Sequence, residues 1–387
     1  MYIRLLKPLK GQSFFILGPR GTGKSTFLTE TFRDSPKYMI DLLDEGLYQA
    51  LVRRPELFEA KIKSQKSKFI IVDEIQRLPG LLNYIHQLIE RDNYQFVLTG
   101  SSARKLRRLS ANLLAGRALT YHMHPLTFLE LKDDFNLDLV LNWGSLPKVM
   151  TSSESLDFCE EFLFSYVQNY IKEEIKEEQI VRKLEPFLRF IDASAQMNGK
   201  EINLSKMARD VGVDAMAIQR YYEILVDTLL IFELPPFDFS VRKRQSQRSK
   251  YYYFDLGVKR AIERSLESPL LHSTSAYGLA FEHFIIVEII RLADYFRKRW
   301  RFSYLRTKDD LEIDLIIELS GNKKVLIEIK STEKVDSVEL HKYENIMRDL
   351  MVSEFWIISR EPYYREQGQF KIFPWKTALE KLFDIKK

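Results

Sequence analysis

Cysteine is almost absent: Cys159 is the one example in 387 residues. That excludes an internal disulfide and any zinc site built on cysteines, and it suits a reducing compartment. Long apolar runs are missing too. None approaches the roughly 20 residues that cross a bilayer, and the N-terminus lacks the apolar region of a secretory signal. The expectation is a soluble, cytoplasmic protein with no membrane partner. Nor is there a large excess of one charge. A formal net charge of +5 argues weakly for a nucleic-acid partner, so the local clustering of Lys and Arg matters more than the total. The length leaves room for two or three domains, each with its own core.

What is present begins with Gly18-Pro19-Arg20-Gly21-Thr22-Gly23-Lys24-Ser25, set between the apolar run Phe14 to Leu17 and a helix expected from Thr26 to Phe32. Glycines let the backbone bend until successive N–H groups face a phosphate. A lysine at the end of the loop reaches the terminal phosphates, and the hydroxyl after it ligates magnesium. Gly18 to Thr26 is therefore the expected ATP-binding segment, with Lys24 catalytic and Ser25 a metal ligand. A flexible glycine loop is the bland reading of the same residues, and strand, full motif and helix in the right order weigh against it. About fifty residues on, Phe69-Ile70-Ile71-Val72 reads as a buried strand ending in Asp73-Glu74. Two carboxylates there need a charged partner. Magnesium and an attacking water supply it, which assigns Asp73 to the metal and Glu74 to activating the water.

Three blocks follow from the patterning. The first, residues 1–150, alternates short apolar runs (Phe14 to Leu17, Tyr38 to Asp41, Phe69 to Asp73, Phe96 to Thr99) with helical segments, the signature of a parallel α/β sheet. Ser101 or Thr99, at the carboxyl edge of the last run, is a candidate sensor of the γ-phosphate. Of the basic residues that follow, Arg104, Lys105, Arg107, Arg108 and Arg117, we take Arg117 as the candidate arginine finger, acting within the chain or from a neighbouring subunit. A solvated basic surface accounts better for Arg107 and Arg108.

The second block, residues 151–268, opens with helical patterning and then spells a helix-turn-helix. Leu204 to Asp210 is one helix, Val211-Gly212-Val213 the turn, and Asp214 caps a second helix that exposes Gln219 and Arg220. Strand-like Leu229 to Leu234 and Tyr251 to Phe254 flank the basic run Arg242 to Lys250. That order predicts a winged helix with a positively charged wing suited to DNA phosphates, although winged helices also serve as purely structural modules.

In the third block, residues 269–387, Leu311 to Ile317 and Val325 to Lys330 read as a hairpin turned at Gly321-Asn322. A period of two puts Glu328 and Lys330 on one face with Asp314 across the hairpin, and Ile327 and Ile329 in the core. Asp, then Glu-x-Lys on the next strand, is how restriction-enzyme-like nucleases hold a divalent ion, Mg2+ or Mn2+, and position a water. Glu282, on the apolar stripe of an upstream helix with Ile285, Ile286 and Ile289, needs a partner there that such an ion would provide. Glu282, Asp314 and Glu328 are thus candidate metal ligands, and Asp314, Glu328 and Lys330 candidate catalytic residues.

Taken together with Leu98 to Ser102, Leu114 to Arg117, His124-Pro125-Leu126-Thr127-Phe128-Leu129-Glu130 and Tyr252 to Gly257, these motifs make nearly the whole chain resemble a family of prokaryotic AAA-type ATPases. In that family an N-terminal ATP-binding core precedes a C-terminal domain of unknown function. The resemblance implies magnesium-dependent ATP binding and hydrolysis, a winged-helix-like middle and a nuclease-like C-terminal fold. It leaves two functional readings: an ATP-driven enzyme acting on DNA, or an ATP-dependent switch whose C-terminal domain binds protein partners or mediates homo-oligomerisation. A kinase is disfavoured because the chain shows no acceptor-substrate site.

Overall fold

The computed structural model describes residues 2–101, 114, 116–152, 155–171, 184–237, 248–307, 309–336, 338–350, 352 and 354–385. Arg104, Lys105, Arg107 and Arg108 lie outside these residues, as do Arg242 to Gln247 of the basic run.

Five parallel strands build the N-terminal sheet: β1 (Ser13–Leu17), β2 (Tyr38–Asp41), β3 (Phe69–Asp73), β4 (Gln95–Gly100) and β5 (Ala118–His122). Their order is β2-β3-β4-β1-β5, so β4 lies between the strand leading into the glycine loop and the strand ending in Asp73. Four helices attend this sheet: α1 (Lys24–Thr31), α2 (Glu45–Arg53), α3 (Glu56–Lys63) and α4 (Leu82–Asp92). Leu51, Phe58, Ile62, Ile85 and Leu88 of α2 to α4 share one core with Ile70, Val72, Phe96 and Leu98. Phe27 and Leu28 of α1 pack on the other face with Phe14, Ile16, Ile71 and Val97. Both faces are covered, which is why these strands read as unbroken apolar runs rather than alternating ones.

Residues 126–150 leave this sheet. Leu126, Phe128, Val140, Leu141 and Val149 join one large core with the helices Leu156–Ser165, Leu184–Gln196, Leu256–Ile262 and Ser275–Tyr295. The segment that closes the first sequence block therefore packs with the two that follow it. Close approach fixes one of these contacts. A Cβ on Gly257 would lie 2.0 Å from the Trp143 carbonyl oxygen, and Gly144 takes φ of +75° beside the buried Asp255, which accepts the Ser145 N–H at 2.7 Å.

Helices Leu204–Val211 and Ala215–Asp227 form the expected pair, with Gly212 left-handed at the turn and Asp214 accepting the Ala217 N–H at 2.7 Å. Met207, Ala208, Ile218 and Leu225 are buried between them, while Gln219 and Arg220 are exposed. An antiparallel pair follows, β6 (Ile231–Leu234) and β7 (Lys250–Tyr253).

Beyond the long helix Ser275–Tyr295 stands a second sheet: β8 (Arg301–Arg306), β9 (Glu312–Glu318), β10 (Lys324–Lys330), β11 (Phe355–Ser359), β12 (Arg365–Gln367) and β13 (Phe370–Pro374). Strands β8, β9 and β10 run as an antiparallel meander and β11 joins β10 in parallel. The register between β8 and β9 slips by one residue opposite Tyr304. That bulge breaks the period of two: Ile313 and Ile316 fall in one core, Leu315 and Ile317 in the other. β10 is buried on both sides, so Glu328 lies inside and not on the half-exposed face that alternation suggests.

Candidate functional site

The loop Gly18 to Gly23 turns tightly between β1 and α1. Gly21 and Gly23 adopt φ of +74° and +90°, and a Cβ on Gly18 would collide with the Met123 carbonyl oxygen at 2.2 Å. Lys24 is buried and curls back, donating from Nζ to the Gly18 carbonyl at 2.7 Å and the Pro19 carbonyl at 3.2 Å. The Thr22 hydroxyl donates to the Pro19 carbonyl at 2.8 Å, closing the loop on itself.

Three strand ends converge beneath the loop. Asp73 accepts from the Ser25 hydroxyl at 2.9 Å through one carboxylate oxygen and from the Thr99 hydroxyl through the other. Thr99 in turn accepts the Glu74 N–H at 3.1 Å, and the Gln76 amide donates both to Glu74 and, at 2.9 Å, to the Ser101 hydroxyl. The structure thus brings together Lys24, Ser25, Asp73, Glu74, Thr99 and Ser101. Gln76 was not singled out by sequence; an amide two residues past an acidic pair carries no local signal. Glu74 holds φ of +58° and ψ of +45°, a left-handed conformation costly for a non-glycine residue and typical of strained functional positions. The oxygens of Ser25 and Asp73, at 2.9 Å from each other, match the hard donors that Mg2+ prefers, so the residues fit that ion.

Beside the loop opens a cleft of about 870 Å³ lined by Tyr2, Ile3, Leu6, Phe27, Leu126 and Pro147 as well as by the loop itself. The N-terminal strap of this cleft escaped the sequence reading. So did its hub, Arg4, whose guanidinium donates to the Thr22 carbonyl at 2.6 Å, the Glu130 carboxylate at 2.8 Å and the Tyr295 hydroxyl at 2.9 Å. Glu130 is further engaged by the backbone N–H groups of Leu5 and Thr127. Arg4 therefore joins the phosphate loop to the last turn of the long C-terminal helix. Asp294 and Glu288 on the same helix complete the joint. Asp294 sits 2.8 Å from His124 Nε2 and 3.4 Å from His122 Nδ1, and Glu288 accepts the Phe128 N–H at 2.6 Å. Burial opposes ionisation of Asp294, but its two histidine partners prevail and keep its pKa below the ordinary carboxylate value.

Arg117 is not brought to its own loop. It precedes β5, whose Ala118 pairs with Ser13, so it occupies the edge opposite the loop, about 17 Å of strand away. There its side chain meets Glu90 of α4 at 2.5 Å.

In the second sheet Asp314 and Glu328 lie at the open end of the β9/β10 hairpin, away from its turn and just beyond the paired stretch that ends at Ile327 and Leu315. Asp314 accepts the Ile329 N–H at 2.7 Å. Burial, with the charges of Glu328 and Glu282, pushes the Asp314 carboxyl well above the usual range. Lys330 donates to one oxygen of Glu328 at 2.7 Å, and the other oxygen is buried without a hydrogen-bond partner. Glu282 finds partners within the protein itself. It accepts the Tyr252 hydroxyl at 2.7 Å and lies 3.8 Å from the ammonium of Lys250, which also bonds Glu312. Lys250, expected at the basic wing facing DNA, is instead the first residue of β7 and 3% exposed. Burial works against its charge, but Glu282, Glu312 and Asp314 outweigh that and hold the ammonium protonated. Among the described residues no three His, Cys, Asp or Glu side chains group to hold a metal ion. The donor set at Glu282, Asp314 and Glu328 therefore does not fit a resident Mg2+ or Mn2+ in this arrangement.

Residues 10–132 match the family described as AAA domain, and residues 134–268 and 277–377 each match a domain of unknown function. With the five-stranded parallel sheet, the first match shows an AAA-type P-loop core at the N-terminus. An uncharacterized protein of Mycobacterium tuberculosis is 25% identical over 82% of this chain and 70% of its own length. An uncharacterized protein of Haemophilus influenzae is 23% identical over 92% of this chain and 93% of its own. Among solved structures, the Walker-type ATPase PaBY2304 of Pyrococcus abyssi superposes with a TM-score of 0.43 at 16% identity, covering 64% of this chain and 90% of that one. No described helix is long and apolar enough to cross a membrane.

Proposed function

We propose that this protein binds and hydrolyses ATP at the cleft beside Gly18 to Ser25 and uses the nucleotide to change how its middle and C-terminal segments engage DNA. The observation that carries the first half is the hydroxyl–carboxylate–hydroxyl chain Ser25, Asp73, Thr99 beneath the glycine loop, with Glu74 at its edge. In this reading phosphate oxygens replace the Gly18 and Pro19 carbonyls as acceptors for Lys24, and loop N–H groups hold the rest of the polyphosphate. Ser25 and Asp73 would hold magnesium, which would supply charge neutralisation on the phosphates. Glu74 orients and deprotonates water, while Gln76 couples that carboxylate to Ser101 near the γ-phosphate. The route outward is Arg4, which touches the loop and Tyr295 together.

The helix pair followed by a two-stranded sheet supports a winged helix, and exposed Gln219 and Arg220 on its second helix are suited to DNA contact. A helix, an antiparallel meander and a parallel strand with Asp314, Glu328 and Lys330 at one hairpin support a restriction-endonuclease-like C-terminal fold. Two assays test the proposal together: ATP turnover, and binding of duplex DNA across a salt series with ATP, ADP or no nucleotide. Turnover with DNA affinity that falls steeply with salt and shifts with nucleotide is expected. No turnover, or affinity indifferent to salt and nucleotide, defeats it.

Lys250 favours a second reading, because a carboxylate cluster closed by an ammonium argues for a C-terminal domain that binds rather than cuts. An ATP-dependent switch of this kind, assembling on protein partners or on itself, predicts nucleotide-dependent light scattering without DNA affinity.

A further inference from the structure

We propose that the Lys250 ammonium is the resident cation of the C-terminal carboxylate cluster, standing where a nuclease of this topology would carry a divalent metal. The inference deepens the reading of the C-terminal fold given above and does not depend on ATP hydrolysis.

Four observations converge on it. Lys250 comes from β7, in the middle segment, yet its ammonium lies against Glu282 of the long helix and Glu312 of β9, two carboxylates from two different elements of the C-terminal domain. The hairpin carrying it is anchored to the edge of that domain's sheet: Pro236 bridges Tyr304, and the Tyr304 hydroxyl donates to the Arg248 carbonyl at 2.5 Å. The Tyr304 ring lies 5.0 Å from the ammonium, so an aromatic face closes the position from the side. Finally, the Glu282 Oε1 that lies 3.8 Å from the ammonium also accepts the Tyr252 hydroxyl, from the same strand as Lys250, at 2.7 Å. One strand of the middle segment thus delivers both the cation and the hydroxyl that Glu282 needs. A lysine is suited to this role because it presents a compact point charge with rotatable donors at the end of a flexible stem.

The chemistry is that of substitution. A divalent ion would have to displace an ammonium already desolvated and paired, and its own repulsion from Lys250 would oppose entry. The cluster nevertheless keeps an unsatisfied acceptor, the buried second oxygen of Glu328. With Lys250 neutralised, Glu282 and Asp314 would lose their nearby ammonium, and a metal could take its place beside them and the Glu328 oxygen that Lys330 does not bond.

The experiment titrates full-length protein with Mn2+ by electron paramagnetic resonance without nucleotide, in an Asp73→Asn background that disables the metal position at the glycine loop. Expected is no site tighter than millimolar in that background, and in Asp73→Asn/Lys250→Met a new site at least tenfold tighter that Asp314→Asn abolishes. Tight Mn2+ binding with Lys250 intact that is lost on Asp314→Asn overturns the proposal. So does a folded Lys250→Met protein that binds no tighter. Should Lys250→Met fail to fold, the background titration still decides, joined by amine acylation read by mass spectrometry: Lys250 is expected to resist labelling with or without Mn2+, and labelling that rises with Mn2+ overturns it. Failure of ATP turnover or DNA binding would leave this outcome untouched.

Discussion

Arg4 and Tyr295 meet at 2.9 Å although 291 positions separate them in the chain. The contact is not an isolated surface pair. Arg4 also holds the Thr22 carbonyl within the glycine loop, and the Tyr295 hydroxyl also accepts the His124 N–H at 3.0 Å. One guanidinium thereby links the glycine loop to the last turn of a 21-residue helix that packs on the C-terminal sheet. Any shift of Thr22 on nucleotide binding must either stretch these bonds or move the helix end.

Tyr295→Phe tests that coupling with minimal loss of volume. It leaves the buried His124 N–H without its acceptor, a cost of about 1–3 kcal/mol in stability. The informative readout is hydrogen exchange across Ser275 to Tyr295 with and without ATP. We expect ATP to change exchange in the wild type and to change it much less in the variant. Identical nucleotide responses would remove Tyr295 from the route.

At the nucleotide site, Lys24→Ala is expected to weaken ATP binding, since it removes the charge that faces the phosphates. Glu74→Gln should bind ATP normally and turn it over about 100-fold more slowly, because the base is lost and the phosphate contacts are spared. Fluorescent-nucleotide titration and single-turnover hydrolysis separate these effects. Equal turnover by the wild type and the Glu74 variant would exclude that carboxylate from the mechanism.

Gly257→Ala addresses the join between the helices Leu137–Trp143 and Leu256–Ile262. The added methyl would sit 2.0 Å from the Trp143 carbonyl oxygen, backbone that cannot swing aside as a side-chain tip does. A loss of about 1–3 kcal/mol, seen as a lower urea midpoint with unchanged slope, is expected. A midpoint within error of the wild type would mean the two helices part easily.

What the sequence made legible were residues whose chemistry is written in contiguous motifs. Gly18 to Ser25 and Ile70 to Glu74 each lie on one strand and the turn after it, so their convergence follows from the order of a parallel sheet. The helix pair around Gly212 was equally readable, because its cap and turn residues act locally. Arg4 was not readable, since nothing near it hints at Thr22, Glu130 or Tyr295. Lys250 was misread for a related reason. In sequence it ends a run of basic residues, and only the antiparallel pairing of β7 with β6 turns it inward, although Arg248 two positions earlier is exposed. Strand β5 was missed because its residues are half-exposed and partly polar, without the apolar run that marked its neighbours. The bulge in β9 likewise hid which core each isoleucine enters.

His283 and Glu288 make the stability of the helix joint depend on pH in opposite senses. His283 is buried, with Nε2 donating to the Tyr253 carbonyl at 2.8 Å and Nδ1 facing the Asn198 amide at 3.0 Å. Burial, with Lys259 and Arg291 nearby, lowers its pKa to about 3. Unfolded, it titrates near 6.5. Between those values the unfolded chain binds a proton that the folded one refuses, so its contribution is complete above about 6.5 and is lost as the pH falls toward 3. Glu288 is raised to about 7, chiefly by burial, with Arg291 pulling the other way. Here the folded state holds the extra proton, and stability declines as the pH climbs from its unfolded value near 4.3 to 7. The two slopes oppose each other over roughly pH 4.5 to 6.5. His283→Gln removes the histidine contribution, so its urea midpoint should fall less than that of the wild type between pH 7 and pH 5, or rise. A variant that follows the wild-type pH profile would show that His283 titrates alike in both states and that its burial has no electrostatic consequence.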